Sequence, residues 1–170
     1  MPAVRHGKAI WPGVRSVVSA SYACSHGVTP GIASLTCLPQ PEAPAVSGDL
    51  VLTDDVQTIV VPDCKLDRLD ISRDGSGVLW HLTILDRRWK WRGLGKVDGW
   101  YNQPDPIGIL YPWTIRTPHF LCEECLVRMN ENGWSVNVPN IDFQPVSWDA
   151  AVPAVALEQL ADSLGCRVIY

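Results

Sequence analysis

Hydrophobic and polar positions alternate singly along GVLWHLTILD, residues 77 to 86. Val78, Trp80, Leu82 and Ile84 fall on one side of an extended chain, and Leu79, His81, Thr83 and Leu85 on the other. Both sides are largely apolar at mid-strand, so the pattern predicts a strand covered on both faces or closed into a small barrel. The preceding sequence repeats the signal. VRSVVSASYAC (14–24) and IASLTCLPQ (32–40) carry apolar residues at short spacing and are separated by the turn cluster SHGVTPG. LVLTD (50–54) and QTIVVPDCKLDRLDIS (57–72) follow a Pro-rich stretch containing Pro39, Pro41 and Pro44, which predicts an extended surface loop over 39–48. Half a dozen short strands within roughly 80 residues, with no helix-length period among them, predict a mostly antiparallel β-barrel or sandwich.

The period changes near residue 114. Thr117 at an N-cap and Pro118 at the first helical position predict a helix start. Pro118, Leu121, Cys122, Cys125 and Met129 share one helical face, Gly133 is placed to supply a left-handed stop, and WSVNV (134–138) reads as a strand. Pro153 opens a second unit of the same kind: Leu157, Leu160, Ala161 and Leu164 form the stripe, Gly165 ends the helix, and CRVIY (166–170) reads as a strand. The expectation is therefore an α+β chain, with a β-barrel or sandwich domain over 1–113 and a smaller domain of two helix-strand units over 114–170. Because the sequence ends on an apolar strand, the reading also expects it to continue in a longer polypeptide.

Composition adds a hint of covered surface. Of the 170 residues, 46% are hydrophobic and only 19% charged, with eight Trp against two Phe. Trp is enriched at protein–protein contacts as well as in cores, which favours an assembly protein. A net charge of −4 works against general phosphate binding. No segment is apolar for the 18 to 20 residues a membrane-spanning helix needs, and Pro12 and Gly13 break the N-terminal stretch before it resembles a signal peptide. Reduced, buried thiols are then the expectation for most of the six Cys.

The candidate chemistry is sparse. LCEECL sets Cys122 and Cys125 three residues apart, which is half of a zinc site or a redox pair. No second pair completes four ligands, and both thiols fall on the apolar stripe, so the expectation is no metal and no cofactor, with Cys122 and Cys125 as the weak candidates. His6, His26, His81 and His119 are scattered. No nucleophile elbow, phosphate loop or paired carboxylates appear, and nothing argues for an enzyme. Asp86 directly before Arg87 and Arg88 predicts an ion-paired turn at a strand end. The stretch LDRRWKWRG (85–93) interleaves Trp89 and Trp91 with Arg88, Lys90 and Arg92. As a continued strand it puts both Trp on one side and the cations on the other, which favours packing or subunit contact over stacking on bases or sugars.

Taken together, SYACSHGVTPGIASLTCLPQ, GDLVLTDD, IVVPDCKLDRLDIS, GVLWHLTILDRRWKWR, TPHFLCEECLVRMNENG and PAVALEQLADSLGCRV resemble the N-terminal part of tail tip or baseplate hub proteins of tailed bacteriophages. The resemblance implies a tail-tube-like β-barrel followed by a smaller α+β domain, and a structural, homotrimeric ring that joins the tail tube to the tip around the DNA channel. It implies a place at the virion tail tip after assembly in the host cytoplasm. Implied partners are further copies of the chain, a tail tube or distal tail protein, and a tip, spike or fibre protein, with DNA only as passing cargo and no stable membrane insertion. It implies no catalytic residues. Subunit contacts are expected from the loops 39–48 and 93–113 and from Arg87, Arg88, Trp89, Trp91, Trp100 and Trp113. The alternative from the residues alone is a soluble metal- or carbohydrate-binding module using Cys122 and Cys125 or the Trp-rich strand.

Overall fold

A computed structural model describes residues 8–54, 56–75 and 77–169; His6 and Tyr170 lie outside them. The chain divides into two compact units. The first runs to Ser25 and resumes over Thr29–Trp89; the second takes His26–Val28 and everything from Lys90.

The first unit is the antiparallel barrel. Its strands are β1 (Lys8–Ile10), β2 (Val17–Ala23), β3 (Ile32–Cys37), β4 (Ser47–Thr53), β5 (Thr58–Asp74) and β6 (Gly77–Leu85), ordered β1-β4-β5-β6-β3-β2. The end strands β1 and β2 come into contact, so the sheet is nearly closed. Register shifts at Val17/Ser19, Gly48/Leu50 and Leu66/Arg68 mark bulges, which bend and twist a sheet toward closure. The alternation in β6 has its expected result: Leu82 and Ile84 are buried with Trp80 packed beside them, while Leu79, His81, Thr83 and Leu85 face outward and are half-buried. Ala33, Leu35, Cys37, Leu50, Val61 and Cys64 complete the core with Trp11, whose indole N–H donates to the Ala45 carbonyl at 3.1 Å. Each buried large aliphatic side chain contributes about 1.5–3 kcal/mol.

The second unit pairs β7 (Val97–Tyr101) with β8 (Val146–Ala151) and packs two helices with them, α1 (Pro118–Arg128) and α2 (Pro153–Ser163). The predicted start of α1 holds: the Thr117 hydroxyl accepts from the Phe120 N–H at 3.2 Å with Pro118 at the first position. Its stop is earlier than expected. Asn130, at φ 56°, takes the left-handed position, and the Glu131 N–H closes onto the Leu126 carbonyl; Gly133 lies beyond. Gly165, at φ 65°, ends α2 as the pattern predicts.

Two predicted strands and one predicted boundary are corrected. Among the described residues WSVNV has no strand partner: Trp134, Val136 and Val138 turn toward the core as an extended segment, which satisfies a two-residue period without a ladder. Cys166–Ile169 is likewise extended, with Val168 packed inward and its carbonyl accepting from Gly27 at 2.8 Å. The strands of this helix-strand unit are therefore β7 and β8, which precede α1 and α2 respectively in the chain, and not the segments that follow each helix. The boundary expected at 113/114 falls at 89/90, because Trp91 and Val97 enter the second core and β7 pairs with β8. Among the described residues no helix is long and apolar enough to cross a membrane.

Candidate subunit interface

The segment Asp86–Arg92 is where the barrel's last strand gives way to other structure. It is not an extended strand: Arg87–Arg92 forms a 3₁₀ helix. The cause sits at its start. Asp86 and Arg88 are fully buried, and a buried ion pair persists only when its remaining donors and acceptors are matched. Asp86 Oδ2 accepts from Arg88 Nη2 at 2.7 Å, from the Gly31 N–H at 2.7 Å and from the Tyr22 hydroxyl at 3.2 Å; Oδ1 accepts from the Arg88 backbone N–H at 3.0 Å. Arg88 also donates from Nη1 to the Ser25 carbonyl at 2.7 Å and from Nη2 to the Cys24 sulfur at 3.1 Å. Burial alone lowers the guanidinium pKa, but the hydrogen bond and charge of Asp86 outweigh it and the net shift is upward. Burial, followed by the Cys24 hydrogen bond and the Asp86 charge, pushes the Tyr22 hydroxyl up. The ion-paired turn expected at this strand end is thus a lock tying β6 to the turn before β3.

The 3₁₀ turn sends the two Trp to different units rather than to one strand face. Trp89 stays with the barrel, its indole N–H donating to the Asp63 carbonyl at 3.1 Å and its ring lying 4.7 Å from the Lys65 ammonium. Trp91 is buried in the second core, where its indole N–H donates to Glu131 Oε1 at 2.7 Å. Arg87 is half-buried. Arg88 and Trp91 are therefore buried within the chain itself.

Trp100 and Trp113 are different: they are 73% and 70% exposed. Trp100 flanks, and Trp113 belongs to, a loop over 102–116 that is braced by its own hydrogen bonds. Asn102, buried and left-handed at φ 55°, donates its N–H to the Thr114 carbonyl at 2.9 Å and accepts the Arg116 N–H on its side-chain oxygen at 2.8 Å. Asn tolerates that backbone region better than most residues. Pro104 and Leu110 form a bridge, and the Tyr111 N–H donates to the Gln103 carbonyl at 2.9 Å. At the tip, Asp105 Oδ1 accepts from the N–H groups of Ile107 and Ile109, both at 2.9 Å. The side chains these bonds hold out are apolar: Ile107 is 81% and Ile109 63% exposed, and the Tyr111 and Trp113 rings stack at 4.8 Å. A self-braced finger with an apolar tip has little conformational entropy left to lose on binding, which favours it as a contact element. Trp100 and Trp113 were legible as named candidates, and Ile107, Ile109 and Tyr111 only as members of the predicted contact loop 93–113; their braces were not legible. The turn-rich run NQPDPIG at 102–108 was the available signal.

Cys122 and Cys125 both lie in the second core. Burial pushes the Cys122 thiol up to about 11 and the Cys125 thiol up to about 12, so both stay protonated at neutral pH, whereas metal binding and thiol exchange require the thiolate. Among the described residues no group of three or more His, Cys, Asp or Glu is placed to hold a metal ion.

No protein-family profile matches the sequence, and no curated protein sequence matches it. Solved structures do. The tail protein from Neisseria meningitidis MC58 superposes with a TM-score of 0.53 over 94% of this chain at 11% identity. The match covers 45% of that protein, so the present chain spans less than half its length. At this identity the likeness is one of fold.

Proposed function

We propose that the chain is a non-enzymatic structural subunit of a bacteriophage tail, and that it forms a hub ring at the tail tip or baseplate. In this reading three copies surround the channel, join the tail tube or distal tail protein to the tip, spike or fibre protein, and let DNA pass as cargo. The virion tail tip is its place, reached by assembly in the host cytoplasm. The observation that carries the reading is the fold shared with a tail protein over 94% of the chain. The braced finger supports it, because exposed apolar side chains fixed in one geometry favour burial against another protein surface. The contact residues are then Trp100 and Trp113 with the finger between them, and Arg87 and Trp89 as half-buried neighbours of a contact.

Sedimentation velocity and negative-stain imaging of the purified chain test this. A three-chain ring is expected, sharpening as concentration rises. A species that stays monomeric up to hundreds of micromolar overturns the ring.

A further inference from the structure

A three-fold ring requires a heterologous interface, in which each copy offers two unlike surfaces. The finger is one of them. Trp100 and Trp113 contribute on the order of 300 Å² of exposed aromatic surface. With Ile107, Ile109 and Ile115 the finger and the adjoining Trp100 together reach roughly 500 Å². A standard interface takes about 800 Å² from each partner, so the two together supply more than half of one side. What it meets must be apolar, since few charges lie on it and its indoles and isoleucines have little to offer a polar surface.

The barrel's outward face contains such a surface. Cross-strand rows on that face are set by the register. One row runs Ser19, Thr36, His81, Asp70, and the next Ser21, Ser34, Thr83, Arg68; both are polar. A third, Ala23, Ile32, Leu85, runs into Lys65. On the other side of the barrel, Ile10 lies opposite Val51 and Val51 opposite Val60, three aliphatic side chains abreast on β1, β4 and β5. Their sequence neighbours Ala9, Leu50 and Val61 are buried in the core, so this row points away from it. Ile10 is 58% and Val60 55% exposed. A row of β-branched side chains is a surface on which an indole or an isoleucine packs without burying a polar group.

We propose that the finger of one copy, led by Ile107, Ile109 and Trp113, seats on the Ile10–Val51–Val60 row of the next copy, head to tail around the ring. This inference rests on the ring reading above and specifies which surfaces make it. The test uses two full-length variants: Ile107→Asp with Ile109→Asp, which spoils the finger, and Val60→Asp, which spoils the row. Each alone is expected to lose the three-chain species. Mixed in equal amounts they are expected to form a discrete two-chain species, because one intact finger still meets one intact row, and no ring. If Val60→Asp assembles like the unmodified chain, the row is not the seat and the inference fails while the ring stands. If the mixture stays monomeric, the contact is not head to tail and the inference fails. If the unmodified chain is itself monomeric, the ring reading falls first. Circular dichroism and a melting curve check that each variant folds. Ile10→Asp, on the short edge strand, provides an independent break of the same row should Val60→Asp not fold.

Discussion

In the barrel unit a carboxylate and a guanidinium, Asp86 and Arg88, are fully buried; in the second unit two indoles, Trp100 and Trp113, stand in solvent. Each is the reverse of the usual partition of side chains, and both are held by dense hydrogen bonding. The difference lies in what the bonds satisfy. At the lock, the buried charges themselves receive the bonds, so the arrangement is complete within one chain. At the finger, the bonds satisfy only the backbone, through Asp105, Asn102 and the Pro104–Leu110 bridge, and the apolar side chains remain uncovered. A closed network points inward to stability, whereas a braced but uncovered one leaves apolar surface that, in the proposed function, a second copy covers.

That contrast can be broken most sharply at the lock. Arg88→Ala leaves the Asp86 carboxylate buried without its cation and should destabilise the chain by about 3–5 kcal/mol in urea unfolding. A cost below about 1 kcal/mol would mean the pair is solvated rather than locked. Gly31→Ala attacks the same network from the backbone, since a Cβ there would meet Asp86 Oδ2 at 2.6 Å, and should cost roughly 1–3 kcal/mol.

Alkaline pH acts on the core of the second unit. The Cys122 and Cys125 thiols, ordinarily near 9, are raised in the folded chain to about 11 and about 12, so the folded state holds these protons more tightly than the unfolded state. Their contribution is fully present below pH 9 and is lost as pH rises through the folded values. Melting temperature should therefore fall between pH 9 and 12, and Cys122→Ala with Cys125→Ala should flatten that fall. At pH 8 both thiols should resist labelling in the folded chain and react after unfolding.

The finger responds in the opposite sense. Asp105→Ala removes the acceptor for two tip amides and should cost about 1 kcal/mol locally, seen as faster hydrogen exchange at Ile107 and Ile109 with the barrel's exchange unchanged. Trp113→Ala should leave the stability of the monomeric chain within about 0.5 kcal/mol and yet weaken self-association. If Trp113→Ala instead unfolds the chain, the indole is part of a core and the comparison with the lock collapses.

Much of the barrel was legible because its signal is local. The alternation in GVLWHLTIL, the turn cluster before Ile32 and the Pro-rich loop each act over a few residues, and the register follows from which face must be buried. The helix starts were legible for the same reason, through Thr117, Pro118 and Pro153. WSVNV and CRVIY misled because alternation reports one-sided burial, which an unpaired extended segment also satisfies. LDRRWKWRG misled because a polar network decided its course: Asp86 and Arg88 find Gly31, Tyr22 and Ser25 more than 50 residues away, and no window of sequence contains that closure.

The order of apolar and polar residues by itself determined that this chain makes a β-rich first part and two short amphipathic helices, since burial of each face requires that period. Only the tertiary structure decided where each indole goes: Trp91 to a core, Trp89 against Lys65, Trp100 and Trp113 to solvent. The physical reason is that burial is a property of neighbours brought together from distant sequence, and here the neighbours are chosen by a buried ion pair and a ladder of backbone hydrogen bonds that no local pattern encodes.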